Sequence, residues 1–373
     1  MTVRSGHKQR LVFWGLIAVG LLVVSWLVRT NQRVLWDFRN NLWAPAHLLW
    51  QGNSPYQIQS LFPNSNAVWF PPVISFFLLL GALPKAPASM LWMVSNVLVL
   101  FVLIGLAAGK RPLPLRLAFA LLASFLFFPT VTHLRLGQFS LMMTLCLLLA
   151  AHFLQAGSAA GAGLNLALVL AKPQLLILVL PGLFQGAWQR AGWRGVWRLA
   201  LWSGAFVLLL LLPLFVRYPG WLPDFRLALH HNPSWLQPSL WQLLPRWWGW
   251  PGWLVAGLAL LLALVANVFI WRRLPFTEAM AWSLALTPLV TPYVWSWDFV
   301  LLLPLFLQSL FRVRSKPALL ALVVGYGLGW GTAVAVGLTT DGSNHLYWWL
   351  SWQTAATIVV AHLLEQRNRK FHE

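Results

Sequence analysis

Asp37 and Lys172 are the residues of this chain whose type and setting point most directly to chemistry. Only seven Asp and Glu serve 373 residues, and Asp37 stands in Trp36-Asp37-Phe38-Arg39, directly after the first hydrophobic segment. A charge at a membrane boundary is costly, so an ionisable residue there is a functional candidate by default. A positioned carboxylate can take a proton from a hydroxyl. The structural alternatives are an ion pair with Arg33 or Arg39, or an N-cap on the following helix. Lys172 precedes Pro173 midway along an apolar stretch. A lone cation at a helix break suits an anion such as a phosphate; the alternative is a lysine snorkelling to the interface. His133, Arg135 and Gln138 form a second polar group, suited to the same anion or to an ordinary solvated turn. His230, His231 and Asn232, beside Arg226, read as ligand contacts or as plain loop. Asp298 follows Trp295 and Trp297, and either meets ligand hydroxyls or caps its own helix.

These residues have to be positioned by membrane helices. The chain is 59% hydrophobic and 9% charged, with a mean hydropathy of +0.70. Soluble domains carry about 25% charged residues. Apolar runs near the ~20 residues that cross a bilayer predict an all-α, polytopic membrane protein of about twelve spans. Clear spans are 11–28, 88–109, 139–155, 196–216, 251–271, 317–339 and 346–364, and shorter ones are 115–129, 277–291 and 297–311. The basic stretch Arg4, Lys8 and Arg10 before 11–28 reads as an uncleaved signal anchor. The single cysteine, Cys146, gives no disulfide framework and no cysteine metal site.

Two regions are ambiguous. Segment 70–84 is short and proline-bounded, and reads as lying on or dipping into the outer leaflet. Segment 161–186 reads as two short helices meeting at Lys172-Pro173, because proline breaks a helix. The rival reading has 70–84 spanning and 161–186 as one helix, which strands Lys172 in the membrane. The net charge of +19 comes from Lys and Arg clustered between apolar runs, a topology signal and not a nucleic-acid patch. The preferred reading puts both termini in the cytoplasm. Asp37, the 133–138 turn, Lys172, the 217–250 loop and the 291–298 turn then face outward. The chain is expected to be a single integral-membrane domain, 1–373, with outer loops at 29–87 and 217–250.

Several motifs recur in a fixed order: Asp37, then Gly52-Asn53-Ser54-Pro55-Tyr56, Phe70-Pro71-Pro72, Gly137-Gln138, Lys172-Pro173, and a Pro-Tyr…Trp-Asp turn at 292–298. Together they resemble glycosyltransferase family 87. The resemblance implies a GT-C fold and a polyprenyl-phosphate sugar as donor, with mannose or arabinofuranose as the sugar. It implies transfer to a glycolipid or glycan hydroxyl on the extracytoplasmic face of the cytoplasmic membrane. It further implies Asp37 as catalytic base in one inverting step. Lys172, with His133, Arg135 or Gln138, would hold the donor phosphate, and Tyr56, His230, His231, Asn232 and Asp298 would line the substrate site. Three positions depart from the family pattern. Phe70 replaces its more frequent tyrosine, Asp298 its more frequent histidine, and the Asn-Gln-Ser-Leu-like signature survives only as Asn232-Pro233-Ser234 and Gln237-Pro238-Ser239-Leu240.

No Asp-x-Asp occurs, so a nucleotide-sugar site with a bridging divalent ion is not indicated, and neither metal nor cofactor is expected. The expected partners are the lipid donor, the acceptor and membrane lipids, with no nucleic acid and a monomeric chain. The other function considered is a transporter or flippase of lipid-linked sugars, which needs a polar path on both membrane sides. The short, basic, acid-poor cytoplasmic loops argue against it.

Overall fold

Apolar residues at helical spacing, with Pro and Gly at the breaks, give a computed structural model that is helical throughout the described residues, with no strand. The structure describes residues 34–63, 65, 68–108, 114–231 and 235–370. The expected first span, 11–28, lies outside the described residues.

After a short π-helix, Phe38–Trp43, come α1 (Ala44–Trp50), α2 (Pro71–Phe76), α3 (Leu78–Gly81) and α4 (Lys85–Ala108). The middle of the chain holds α5 (Pro114–Leu126), α6 (Phe128–Leu136), α7 (Ser140–Gln155), α8 (Ala159–Leu168) and α9 (Val179–Arg217). The rest is α10 (Trp221–His230), α11 (Leu240–Trp248), α12 (Trp250–Arg273), α13 (Phe276–Val290), α14 (Leu303–Arg312), α15 (Lys316–Thr339) and α16 (Trp348–Lys370). One continuous cluster of buried apolar side chains runs from Leu35 to Ala361. Large aliphatic residues on α9 and α12, such as Leu208, Leu209, Leu258 and Leu262, remain exposed, as lipid-facing helix surfaces do.

Among the described residues, four helices are long and apolar enough to cross a membrane: α4, α9, α12 and α15. A fifth arises if α5 and α6, bent by 53°, count as one crossing. This is fewer than the about twelve spans expected from apolar runs. The difference has a local cause. Other apolar runs fold into helices shorter than those four, such as α7 and α13, and polar residues Ser351, Gln353, Thr354 and Thr357 punctuate α16.

The breaks are repaired by side chains, as a low-dielectric surrounding demands. At the α5–α6 bend, next to Pro129, Tyr326 Oη donates to Ala123 O (3.2 Å) and Trp330 Nε1 to Leu126 O (2.7 Å). The 161–186 stretch breaks at Lys172, whose φ/ψ of −133°/76° is neither helical nor ideal strand, as its position before proline favours. Around this break Thr291 Oγ1 donates to Gln174 O (2.7 Å) and Asn267 Nδ2 to Leu178 O (2.8 Å). Residues 179–217 are themselves kinked at Ala191-Gly192, so a shorter helix precedes the long apolar one. The 70–84 stretch divides at Phe77 into helices of six and four residues, and α2 is buried against α9.

Basic and acidic side chains gather at one end of α13. Arg312 Nη1 meets Glu278 Oε2 (2.6 Å), and Glu365 accepts from the backbone N–H groups of Arg314 and Ser315 (both 2.9 Å). The 291–298 turn lies at the other end of the same helix.

Candidate active site

Asp37 is fixed by an unusual backbone. Leu35, two residues earlier, has φ +59°, where a bulky residue pays roughly 1–2 kcal/mol. That strain is held by burial of its side chain and by its N–H, which donates to Arg135 O (2.6 Å) at the end of α6. Gly137 ends α6 in the left-handed conformation, φ +72°. A Cβ there would stand 2.7 Å from both Leu35 Cδ2 and Phe38 Cβ. Trp92 of α4 donates from Nε1 to Gly137 O (2.8 Å) and stacks between Phe38 and Phe139. Glycine is therefore required twice at 137, for its φ and for the close approach of the Asp37 segment. Gly137→Ala is expected to lower stability by about 1–3 kcal/mol, the range for overpacking, and to lower activity by shifting Asp37. Thermal unfolding and turnover of the purified variant check this.

The carboxylate itself is half-buried. Although Asp37 occupies the N-cap position of the π-helix, its side chain makes no cap bond. Arg39 turns to α4, where its Nε donates to Ser89 Oγ (3.3 Å). Asp37 Oδ2 instead accepts a hydrogen bond from Gln138 Nε2, and Oδ1 has a long contact from Asn41 Nδ2 (3.4 Å). Gln138 Oε1 accepts from Lys172 Nζ (3.1 Å). Lys172 Nζ also donates to Ser140 Oγ (3.0 Å) and pairs with Asp298 Oδ1 (2.6 Å). Asp298 Oδ1 accepts from Ser140 Oγ as well, while Oδ2 accepts from the Trp295 N–H (3.1 Å). Four residues from four separate chain segments thus form one chain: Asp37, Gln138, Lys172 and Asp298.

Burial pushes the Asp37 carboxyl up to about 6, against the pull of the Gln138 hydrogen bond and the Lys172 charge; the Asp298 charge adds to the rise. A carboxylate of that basicity is still ionised at neutral pH and is a better proton acceptor than an ordinary aspartate.

The ammonium group has three N–H donors, and Gln138, Ser140 and Asp298 take all three. Lys172 is buried, with Nζ 5.2 Å from the ring centre of Trp69. It does not snorkel to an interface. His133 is fully buried, with Nε2 3.1 Å from Asn96 Oδ1. Arg135 is exposed and contributes its carbonyl to the Leu35 anchor. Tyr56 is buried against Phe225, in a separate cluster where Asp224 accepts from Ser54 and from Tyr218 Oη (3.0 Å). His230 and His231 are exposed at the end of α10, with His231 Nδ1 2.8 Å from Leu227 O. Asn232 lies outside the described residues.

Of the residues singled out in the sequence, Asp37, Gln138, Lys172 and Asp298 come together. Ser140, Trp69 and Trp92 join them, and the sequence alone does not single them out. Ser140 sits two residues after Gln138, and Trp69 directly before Phe70-Pro71-Pro72, so both lay beside motifs that carried the signal. The family model for glycosyltransferase family 87 matches residues 68–292, more than half of the chain. The protein belongs to glycosyltransferase family 87 and is a membrane glycosyltransferase. Gln138 and Lys172 lie inside the matched segment, Asp37 and Asp298 outside it. No curated protein matches the chain.

Proposed function

We propose that the protein is a GT-C glycosyltransferase that moves a sugar, mannose or arabinofuranose, from a polyprenyl phosphate to an acceptor hydroxyl. Its further crossings beyond the long helices would be made by the shorter apolar helices such as α7 and α8. Asp37 takes the proton of the acceptor hydroxyl. The acceptor oxygen attacks the anomeric carbon as the bond from that carbon to the phosphate oxygen breaks, and the electron pair leaves with polyprenyl phosphate. The displacement is a single inverting step, so a β-linked donor gives an α-linked product. Lys172 acts on the departing phosphate through its field, together with the exposed Arg135. Exposed tryptophans and leucines around the bundle suit the lipid tail.

The observation that carries this reading is the Asp37 carboxylate, raised in basicity and tied through one amide to a buried ammonium. Charge supports an outward-facing site. Arg312 and Arg369, with their partners Glu278 and Glu365, and the Asp37 cluster lie towards opposite ends of α13. Lys and Arg favour the cytoplasmic side, so the site faces outward.

The test is donor choice. Purified protein is mixed with polyprenyl-phosphate mannose, polyprenyl-phosphate arabinofuranose or a nucleotide sugar, using lipid extract of the source membrane as acceptor. Release of polyprenyl phosphate with one lipid donor, undiminished by a chelator, is expected. Turnover of the nucleotide sugar alone would overturn the proposal.

A further inference from the structure

Gln138 stands between the two charged ends of the site, and its amide has two distinct faces. Which face meets Asp37 is not left to chance. Lys172 Nζ can only donate, so the oxygen of the amide must face it and the NH₂ must face Asp37. Lys172 is itself held by Asp298 and Ser140, on two further chain segments. Rotating the amide by half a turn would oppose NH₂ to ammonium and carbonyl to carboxylate, losing two hydrogen bonds and adding two repulsions.

We propose that Gln138 is a positioning residue: oriented by Lys172, it holds Asp37 Oδ2 as a permanent hydrogen-bond acceptor and so reserves Oδ1 for the acceptor's proton. This rests on the reading of Asp37 as the base. The long contact from Asn41 at Oδ1 is one that an incoming hydroxyl displaces. The arrangement has the logic of a catalytic triad, in which a base is oriented by a group that is itself oriented by another. The device also sets basicity. Among the described residues, the charged groups acting on Asp37 are Lys172, which lowers its pKa, and Asp298, which raises it; the Gln138 bond lowers it.

Titrating the carboxylate directly tests this without any substrate. Dicyclohexylcarbodiimide modifies protonated, apolar-site carboxyls, and no other Asp or Glu precedes Asp224, so peptide mass identifies label on Asp37 cleanly. Full-length protein in detergent is labelled across pH 4–9. The wild-type midpoint is expected at about 6. Gln138→Glu keeps the shape and still accepts from Lys172, but gives Asp37 a like charge in place of a donor. Its midpoint is expected to rise by at least about one pH unit. Gln138→Met and Lys172→Met are expected to rise too, and Gln138→Met substitutes for Gln138→Glu should that variant fail to accumulate. Folded Gln138 variants with midpoints at the wild-type value would overturn the proposal, since a merely structural glutamine would lower activity and leave the titration alone. Transfer by Asp37→Asn, assayed alongside, separates the two claims. Wild-type transfer there removes the base itself, whereas lost transfer with unmoved Gln138 midpoints removes only the positioning role.

Discussion

Asp37→Asn is expected to lower the transfer rate by about 10²–10⁴-fold, the range contributed by a positioned general base. Asparagine preserves the size of the side chain, and its carbonyl oxygen can still accept from Gln138 Nε2. Packing of Leu35 and Phe38 around Gly137 does not involve the carboxylate. The loss should therefore fall on kcat, with KM for the donor changed little and the unfolding temperature preserved or raised, since a half-buried charge has been removed. Steady-state kinetics on purified variant in the wild-type detergent checks this.

Lys172→Met and Asp298→Asn are expected to have the largest effects on stability. Their ion pair is buried on both sides, with side-chain exposures of 8% and 0%. Breaking such a pair from one side strands the other charge and costs about 3–5 kcal/mol. Lys172→Met leaves Asp298 with Ser140 and the Trp295 N–H only. Asp298→Asn leaves the ammonium with neutral partners and the Trp69 face. The double variant, Lys172→Met with Asp298→Leu, removes both charges, and replacing a buried pair by apolar groups is often neutral or stabilising. It should therefore unfold closer to wild type than either single variant while remaining inactive. Thermal unfolding of these proteins and of the Asp298→Leu single variant measures the coupling, with Lys172→Met and Asp298→Leu as the two single losses. Simple addition of the two losses would mean that the pair does not act as a unit.

Much of the site was legible in the sequence because acids and lysines are rare in this chain. Asp37, Lys172 and Asp298 stand out against apolar surroundings, and the break at Lys172-Pro173 follows from proline chemistry. The roles within the cluster were not legible. Lys172 reads in the sequence as a cation awaiting an anion, yet the fold supplies Asp298, more than a hundred residues away in the chain, as a partner. Asp298 does cap backbone, at the Trp295 N–H, and binds Lys172 with its other oxygen. Gln138 and Ser140 are ordinary polar residues whose meaning comes only from contacts across the bundle.

The fold divides in the same way. Helical character and the long apolar helices α4, α9, α12 and α15 follow from composition and run length. The breaks that shorten the remaining apolar runs, such as those bounding α7 and α8, depend on contacts that run length does not report. Leu35 illustrates the limit most sharply. Nothing in its type announces a left-handed backbone; the packing of Gly137 and the hydrogen bond to Arg135 O impose it.

The pH dependence of kcat/KM, measured for wild type and Asp37→Asn with the active lipid donor, tests the central claim most directly. A base must be deprotonated to act, so the wild-type rate should climb as pH rises through about 6 and level off above it. Asp37→Asn should show only a small residual rate without that acid limb. A variant that turns over near the wild-type rate, with the limb at about 6 intact, would contradict the assignment of Asp37 as the base.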